Sequence, residues 1–206
     1  MNTPATHGLP TLPDEARGVL DFWFGPPDDP GHTATRAEWF RKDPAFDARI
    51  RDRFGPLIGA ALRGERDHWL TPFAPLPALA LVIVLDQFTR NTGRDTAAAF
   101  AGDARALSIA ERLVASGFDR ALTGVQRQFA YLPFEHAEDR AMQDRSVALF
   151  TRLGADEPAL ADLATWAERH RVIVARFGRF PHRNAALGRA STPEELAFLQ
   201  QPGSGF

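Results

Sequence analysis

Two histidines interrupt stripes of apolar residues that otherwise predict buried helix faces. One stripe starts at Val125 and meets His136 in the stretch YLPFEHAED, and the other, on a later helix, meets His170. A histidine beside carboxylates exchanges protons near neutral pH, so this pattern is typical of acid–base chemistry. Glu135 and Glu138 are the nearest candidate carboxylates for His136. An alternative interpretation is that each histidine is a satisfied residue of the core.

A third stripe becomes polar in the stretch VLDQFTRN. Arg90 follows Asp86 by four residues, which places the two side chains on one helix face. Gln87 and Asn91 add hydrogen-bonding groups to the same turn. The pair is either a structural ion pair or part of a site.

The stretch RFGRFPHRNAALGR holds four arginines and one histidine in fourteen residues, although the net charge of the chain is −2. Guanidinium groups bind carboxylates and phosphates in a two-pronged geometry. These arginines therefore either hold an anionic ligand or neutralise carboxylates of the fold itself. The sequence leaves both interpretations open.

Buried charges must pair or line a wet cavity, so we expect these polar segments to converge. Tyr131 lies one helical turn before Glu135 and is a further candidate proton donor. The predicted catalytic residues are His136, Glu135, Glu138 and His182. The predicted ligand-binding residues are Asp86, Gln87, Arg90, Asn91, Asp139, His170, Arg176, Arg179, Arg183 and Asn184.

Several classes of site lack their required residues. The chain has no cysteine, which excludes thiolate catalysis and cysteine-ligated zinc. It has no HExxH stretch, and EHAED has the spacing Glu135-x-x-Glu138, whereas a di-iron bundle needs a Glu-x-x-His spacing twice. It also lacks a GxSxG elbow, a P-loop and a GxGxxG turn. We therefore predict no metal and no cofactor.

The elements that would position these residues have helical spacing throughout. The apolar run ALALVIVL, residues 78–85, resembles a buried strand, but no other stretch offers it a partner strand. We predict that it forms a central helix buried on all sides. Thr123 and Thr192 are predicted N-caps, the latter in a capping box with Glu195. Asp156 is predicted to cap the long helix that ends at Gly178.

The composition is typical of one globular domain, with 44% hydrophobic and 24% charged residues in 206. We predict an all-α fold with about eight to ten helices in a single compact domain, residues 14–206, after a flexible segment, residues 1–13. A net charge of −2 gives no field that would attract nucleic acid or an anionic membrane. No signal peptide or membrane span is evident, so we expect a cytoplasmic protein.

The motifs FWFG, LDQFTRN, YLPFEHAED, FGRFPHRN and LGRASTPEELAFL, in this order, resemble the family known as domain of unknown function 924. The resemblance runs from about Val19 to Phe206 and implies a right-handed, tetratricopeptide-like helical array. It implies no reaction. The residues carried over by the motifs are Asp86, Gln87, Arg90, Asn91, Glu135, His136, Glu138, Asp139, Arg176, Gly178, Arg179, Pro181, His182, Arg183 and Asn184. Leu132 and Thr89 depart from the family pattern, outside the charged set.

The sequence thus predicts a pocket that binds an anionic small molecule or an acidic peptide end, with metal-independent acid–base catalysis as an open question. The alternative is a non-catalytic helical module that binds protein or peptide, in which the polar cluster is a buried structural network. The oligomeric state and the ligand are not predicted.

Overall fold

Helices and short 3₁₀ turns make up the fold in the computed structural model, which describes residues 12–32 and 34–205. Those two ranges contain no β-strand, and their helices pack around one main hydrophobic core. The predicted all-α, single compact domain is confirmed. Its tetratricopeptide-like arrangement and its boundary at residue 14 stay predictions, and residues 1–11 of the predicted flexible segment lie outside the described residues.

The helices follow one another with short connections. They are α1 (Asp14–Phe24), α2 (Pro44–Leu62), α3 (Pro75–Val82), α4 (Thr89–Thr92), α5 (Asp103–Ala115), α6 (Gly124–Glu135), α7 (Arg140–Asp156), α8 (Leu163–Phe177) and α9 (Pro193–Leu199). Six-residue π-helical backbone, Ile83–Phe88, links α3 to α4. The 3₁₀ turns are Ala37–Trp39, Asp67–Leu70, Ala97–Phe100, Phe118–Ala121, Pro158–Leu160 and Pro181–Arg183. None of the helices in the described ranges is both long and apolar enough to cross a membrane.

The central helix consists of α3, the π-helical segment and α4. Every residue of the run from Ala78 to Leu85 has a relative exposure of 0%, which confirms a helix buried on all sides. Val82 and Phe88 keep helical dihedral angles, so the chain passes through the π segment without a break. Aromatic side chains from α1 and α2 pack on this helix, for example Phe54 and Trp23 against Phe88.

The π segment frees backbone carbonyl groups, and side chains bind them. The Thr89 hydroxyl donates to the Leu85 carbonyl at 2.8 Å, and Arg90 Nη1 donates to the Asp86 carbonyl at 2.7 Å. π turns inside α-helices often occur at functional sites. Here the turn contains Asp86 and Gln87, two of the residues predicted for the site.

Gly102 allows α5 to begin against the central helix. A Cβ atom at this position would lie 2.1 Å from the Leu85 carbonyl oxygen, so no larger residue fits without a backbone shift. Because Gly102 packs so closely, the next residue, Asp103, reaches Arg90. A residue without a side chain therefore sets the position of a charged residue of the site.

Helix α6 is buried along its whole length. The predicted cap is confirmed, since Thr123 and Gln126 form a capping box at its N-terminus. The helix continues past Pro133 and ends with His136 as its C-cap. Gln143 of α7 donates to the carbonyls of Glu135 and Ala137, both at 2.7 Å. These bonds fix the backbone that carries Glu135 and His136.

Helices α7 and α8 form an antiparallel pair beside α6. The prediction that Asp156 caps α8 is wrong, because Asp156 is the last residue of α7 and accepts from Arg127 at 2.8 Å. The turn Pro158–Leu160 follows, and α8 begins only at Leu163. Gly178, with φ of 71°, ends α8 in the left-handed conformation that glycine tolerates best.

The C-terminal helix begins as predicted. Thr192 and Glu195 form a capping box, with Pro193 in the first turn of α9. The chain between Gly178 and Thr192 therefore runs between two fixed helix ends. It contains the arginine-rich stretch, and it passes close to the C-terminal end of α6.

Candidate functional site

A cavity of about 850 Å³ opens where the central helix, α6, α8 and the Pro181–Arg183 turn meet. The apolar residues of its wall, which we call the apolar lining, are Trp39, Phe40, Phe100, Leu132, Phe150, Leu163 and Trp166. We call eight of the polar side chains that border it the polar lining: Gln87, Arg90, Gln128, Glu135, His136, His170, His182 and Arg183. The three polar segments and the arginine-rich loop thus all contribute to one cavity.

Asp86 lies directly behind the polar lining and is fully buried. Its Oδ1 atom is 2.8 Å from His136 Nδ1 and accepts from Arg90 Nη1 at 2.8 Å, while Oδ2 accepts from Gln87 at 2.6 Å. Burial alone would raise the pKa of Asp86, but the charge of Arg90 and the contact with His136 outweigh it and hold the pKa well below its usual range. Asp86 is therefore an ionised carboxylate at neutral pH.

The contact with Asp86 determines the tautomer of His136. An ionised carboxylate only accepts hydrogen bonds, so Nδ1 must carry the proton. Burial, together with the positive charge of Arg90, lowers the pKa of His136. The ring is therefore neutral at pH 7, with a basic Nε2 atom on a side chain that borders the cavity. A carboxylate that orients a histidine in this way is the arrangement used by many general bases.

Arg90 connects two carboxylates. Besides Asp86, it donates to Asp103 in a bidentate arrangement, with distances of 2.8 and 2.9 Å. Asp103 also accepts from Arg183 Nη1 at 3.3 Å. Two positive and two negative side chains therefore balance one another on this side of the cavity.

Arg183 borders the cavity and keeps one hydrogen-bond donor unused. Its guanidinium carbon lies 4.7 Å from the centre of the Phe100 ring and 4.4 Å from that of the Phe180 ring, which fixes its orientation. Its Nε atom is buried without a hydrogen-bond partner among the described residues. Burial and the charge of Arg90 lower the pKa of Arg183 to about 10, so it stays cationic at neutral pH.

Glu135 and His170 meet at 3.2 Å but do not form an ion pair. Burial, with the nearby negative charge of Asp86, raises the pKa of Glu135 to about 8. Burial lowers the pKa of His170 to about 3, and its Nδ1 atom also lies 2.9 Å from the Trp166 carbonyl oxygen. At pH 7 both groups are neutral, and Glu135 carries a proton that it can donate.

His182 and Gln128 complete the polar lining. Burial and the charge of Arg183 lower the pKa of His182 to about 4, so this ring is neutral as well. Gln128 is buried, and its Oε1 atom has no hydrogen-bond partner among the described residues. The polar lining thus presents neutral donors and acceptors around two cations, Arg90 and Arg183.

Besides Asp86, five of the predicted site residues do not line the cavity. Arg179 binds Glu195 in a bidentate arrangement at 2.6 and 2.8 Å, and Arg176 binds Glu194 at 2.9 Å. Asp139 is the N-cap of α7 and accepts from the Met142 backbone N–H at 3.0 Å. The remaining two, Glu138 and Asn184, also bind groups of the fold.

Glu138 belongs to a network that we call the outer network, formed with Arg179, Asn184, Arg189 and Glu195. Arg189 donates to both oxygens of Glu138, at 2.5 and 2.8 Å, and the Phe180 backbone N–H donates to Oε1 at 2.8 Å. Asn184 donates to Glu195 at 3.3 Å and accepts from Arg189 at 3.0 Å. These groups hold the arginine-rich loop on the fold.

Two other predicted residues have a different surrounding from the one expected. Asn91 borders the cavity, but its side chain donates to Asp47 at 2.7 Å. Tyr131 does not reach the cavity, since its hydroxyl donates to Asp119 at 2.6 Å in the core. Burial and that bond raise the pKa of Tyr131 to about 12. The expectation that Tyr131 donates a proton in the site is therefore wrong.

Sequence reasoning missed Asp103, Gln128 and the aromatic lining. Gln128 lies two helical turns before His136 on α6, so the same face of the helix could have indicated it. Asp103 carries no local signal, because its place depends on the close packing of Gly102. Within the described ranges, no group of three or more His, Asp and Glu side chains could hold a metal ion.

The comparisons with known proteins cover nearly the whole chain. A family of bacterial proteins of unknown function (DUF924) matches residues 19–203. A solved structure of a protein of unknown function from Agrobacterium tumefaciens is 42% identical and covers 91% of this chain and 97% of that chain, with a TM-score of 0.78. No curated protein matches the chain.

Proposed function

The chain belongs to the family of bacterial proteins of unknown function DUF924, and we propose that this member binds a small organic acid in its cavity and acts on it by acid–base chemistry. The observation that carries the proposal is the buried Asp86–His136 pair, 2.8 Å apart, at a cavity that also holds Arg183. The cavity volume of about 850 Å³ suits a small molecule.

Arg183 is the group that binds the acid. Its orientation is fixed by two phenylalanine rings, and one Asp103 oxygen at 3.3 Å engages it from one side. A guanidinium with unused N–H groups binds a carboxylate with geometric specificity. Arg90 cannot take this role, since two carboxylates already occupy it.

His136 is the general base. Asp86 holds its Nδ1–H, so Nε2 carries the free electron pair and takes a proton from the bound acid or from a water molecule. Asp86 then stabilises the imidazolium that forms. Glu135, protonated at neutral pH, supplies a proton to the developing negative charge. We therefore expect activity to rise as His136 becomes neutral and to fall as the pH passes the Glu135 pKa of about 8.

Calorimetry tests the binding step. We expect saturable binding of benzoate or acetate to the wild type, and at least about a tenfold weaker affinity for Arg183→Gln, because a charge-assisted bond contributes about 1.5–3 kcal/mol. Arg183→Lys keeps the charge and serves as the second variant. Arg176→Gln is the matched control, since this arginine belongs to the same arginine-rich stretch but lies in the last turn of α8, outside the cavity.

The same experiment separates the small-molecule proposal from its alternatives. If Arg183→Gln bound these acids with unchanged affinity, Arg183 would not be the group that binds the acid. Much tighter binding of a short peptide than of the free acids would assign the cavity to peptide ends instead.

NMR in D₂O tests the acid–base step. We expect the wild type to exchange a proton of a bound acid for deuterium or to convert the acid, and His136→Gln to lose this reaction while it still binds. Binding without exchange or conversion, over a panel of organic acids, would assign the site to binding alone.

A further inference from the structure

The apolar lining of the cavity indicates which class of organic acid binds there, and this inference rests on the proposed function. Two of its aromatic residues are unusually exposed: Phe40 at 56% and Trp166 at 48%. They come from different elements, since Phe40 follows the Ala37–Trp39 turn and Trp166 lies on α8, yet both line the same cavity. Large exposed apolar side chains that border one pocket mark a binding surface.

The protein itself supports each of these rings. The Arg169 guanidinium carbon lies 4.5 Å from the centre of the Trp166 ring, and Phe40 stacks on Phe129 with an interplanar angle of 11°. The rings are therefore held in place, and their uncovered area is available to a ligand. Rigid aromatic rings provide contact area at a small cost in conformational entropy.

A third ring lies beside the proposed anchor. Phe100 lines the cavity, and the Arg183 guanidinium lies over its face at 4.7 Å. An acid bound to Arg183 therefore has an aromatic ring next to its carboxylate. Arg41 also lines the cavity and has no carboxylate partner within the described part of the chain, so it favours the entry of an anion.

We propose that the ligand is an aromatic carboxylic acid, whose carboxylate binds Arg183 and whose ring packs against Phe100, Phe40 and Trp166. An aromatic ring gains edge or stacking contacts with these side chains beyond the area it buries. A saturated ring of the same size buries a similar area without those contacts. The apolar lining thus favours an aryl group over a saturated ring.

Calorimetry with benzoate and cyclohexanecarboxylate tests the inference. We expect benzoate to bind roughly three- to tenfold more tightly to the wild type. The double variant Phe40→Leu/Trp166→Leu should reduce this ratio, since both sites keep an apolar side chain and lose the ring, and only the contact with Phe100 remains. Phe118→Leu is the matched control, because Phe118 is an exposed phenylalanine at 38% that does not line the cavity.

The outcomes separate the two proposals. If benzoate and cyclohexanecarboxylate bind equally and Arg183→Gln weakens both, the aromatic preference is wrong and the acid site remains. If the double variant keeps the benzoate preference, Phe40 and Trp166 do not provide it and the inference is overturned. If neither acid binds up to its solubility limit, both proposals fail together. A urea unfolding curve for each variant confirms that the folded protein is being measured.

Discussion

Glu135 and Glu138 stand three residues apart in one stretch of sequence, yet the structure gives them opposite protonation states. Glu135 lies in the cavity wall beside neutral His170 and near the negative charge of Asp86, and its pKa rises to about 8. Burial would also raise the pKa of Glu138, but Arg189 and the Phe180 backbone N–H outweigh it and lower this pKa. Residue type and local sequence do not set the state of a carboxyl group; its tertiary partners do.

The same difference separates the polar lining from the outer network. In the outer network, Glu138 and Glu195 each accept two hydrogen bonds from one arginine and at least one further hydrogen bond. In the polar lining, the Arg183 Nε and Gln128 Oε1 atoms have no partner among the described residues. A network with satisfied bonds stabilises the fold, whereas one with unused bonds is suited to a ligand.

The largest expected effect is in the outer network. Glu138→Gln removes the charge that pairs with Arg189 and leaves one of its N–H groups without an acceptor. We expect a loss of about 2–4 kcal/mol in the free energy of unfolding, measured with urea. Binding of benzoate by the folded variant should be unchanged. A loss below about 0.5 kcal/mol would contradict a structural role for this pair.

The next effect has the opposite sign and concerns Glu135. Its pKa is about 8 in the folded protein and 4.5 ordinarily, so the unfolded chain releases this proton first. The stability contributed by Glu135 is therefore fully present below pH 4.5 and is lost as the pH rises towards 8. We expect Glu135→Gln to be more stable than the wild type by about 2–3 kcal/mol at pH 6.5, and to differ little from it at pH 4.5.

Urea unfolding across this pH range measures the difference. Glu138→Gln is the matched control, because it changes the same residue type in the same stretch and should be destabilised throughout the range. A Glu135→Gln variant with the wild-type dependence of stability on pH would show that Glu135 is ionised in the folded protein.

The smallest expected effect is that of His136→Asn. The ring of His136 is neutral and makes one hydrogen bond, to Asp86. Asparagine retains an N–H donor, so we expect the free energy of unfolding to change by less than about 1 kcal/mol, although acid–base activity is lost. A loss of several kcal/mol in the free energy of unfolding would place His136 in a structural network like that of Glu138 and would contradict the proposed function.

Much of the fold follows from local sequence signals. The capping boxes at Thr123 and Thr192, the glycine that ends α8 and the buried central helix depend on short-range bonds and on apolar patterning. The helix end at Asp156 could not be predicted in this way, and the sequence pattern wrongly indicated a helix start there. Its carboxylate binds Arg127, a residue 29 positions earlier, and this contact is visible only in three dimensions.

The same difference between local sequence signals and long-range contacts applies to the candidate site. Helical periodicity was enough to indicate Asp86, Glu135, His136 and His170, because each interrupts or ends an apolar stripe. Helical periodicity could not show which arginine of the stretch lines the cavity and which bind only the fold. Their partners lie elsewhere in the chain: Glu138 for Arg189, Glu195 for Arg179 and Asp103 for Arg183. The functional roles of all these residues stay predictions until they are measured.

The π-helical segment has a consequence for how such a site can arise. A π turn holds about one residue more than an α turn, so it is equivalent to a single-residue insertion in a helix. Each residue of an α-helix turns the chain by about 100°. Loss of one residue between Ile83 and Phe88 would therefore leave a regular helix of ordinary apolar character, but it would rotate Asp86 and Arg90 relative to the buried half that precedes them. The insertion or loss of a single residue therefore decides whether this core helix presents Asp86 to His136.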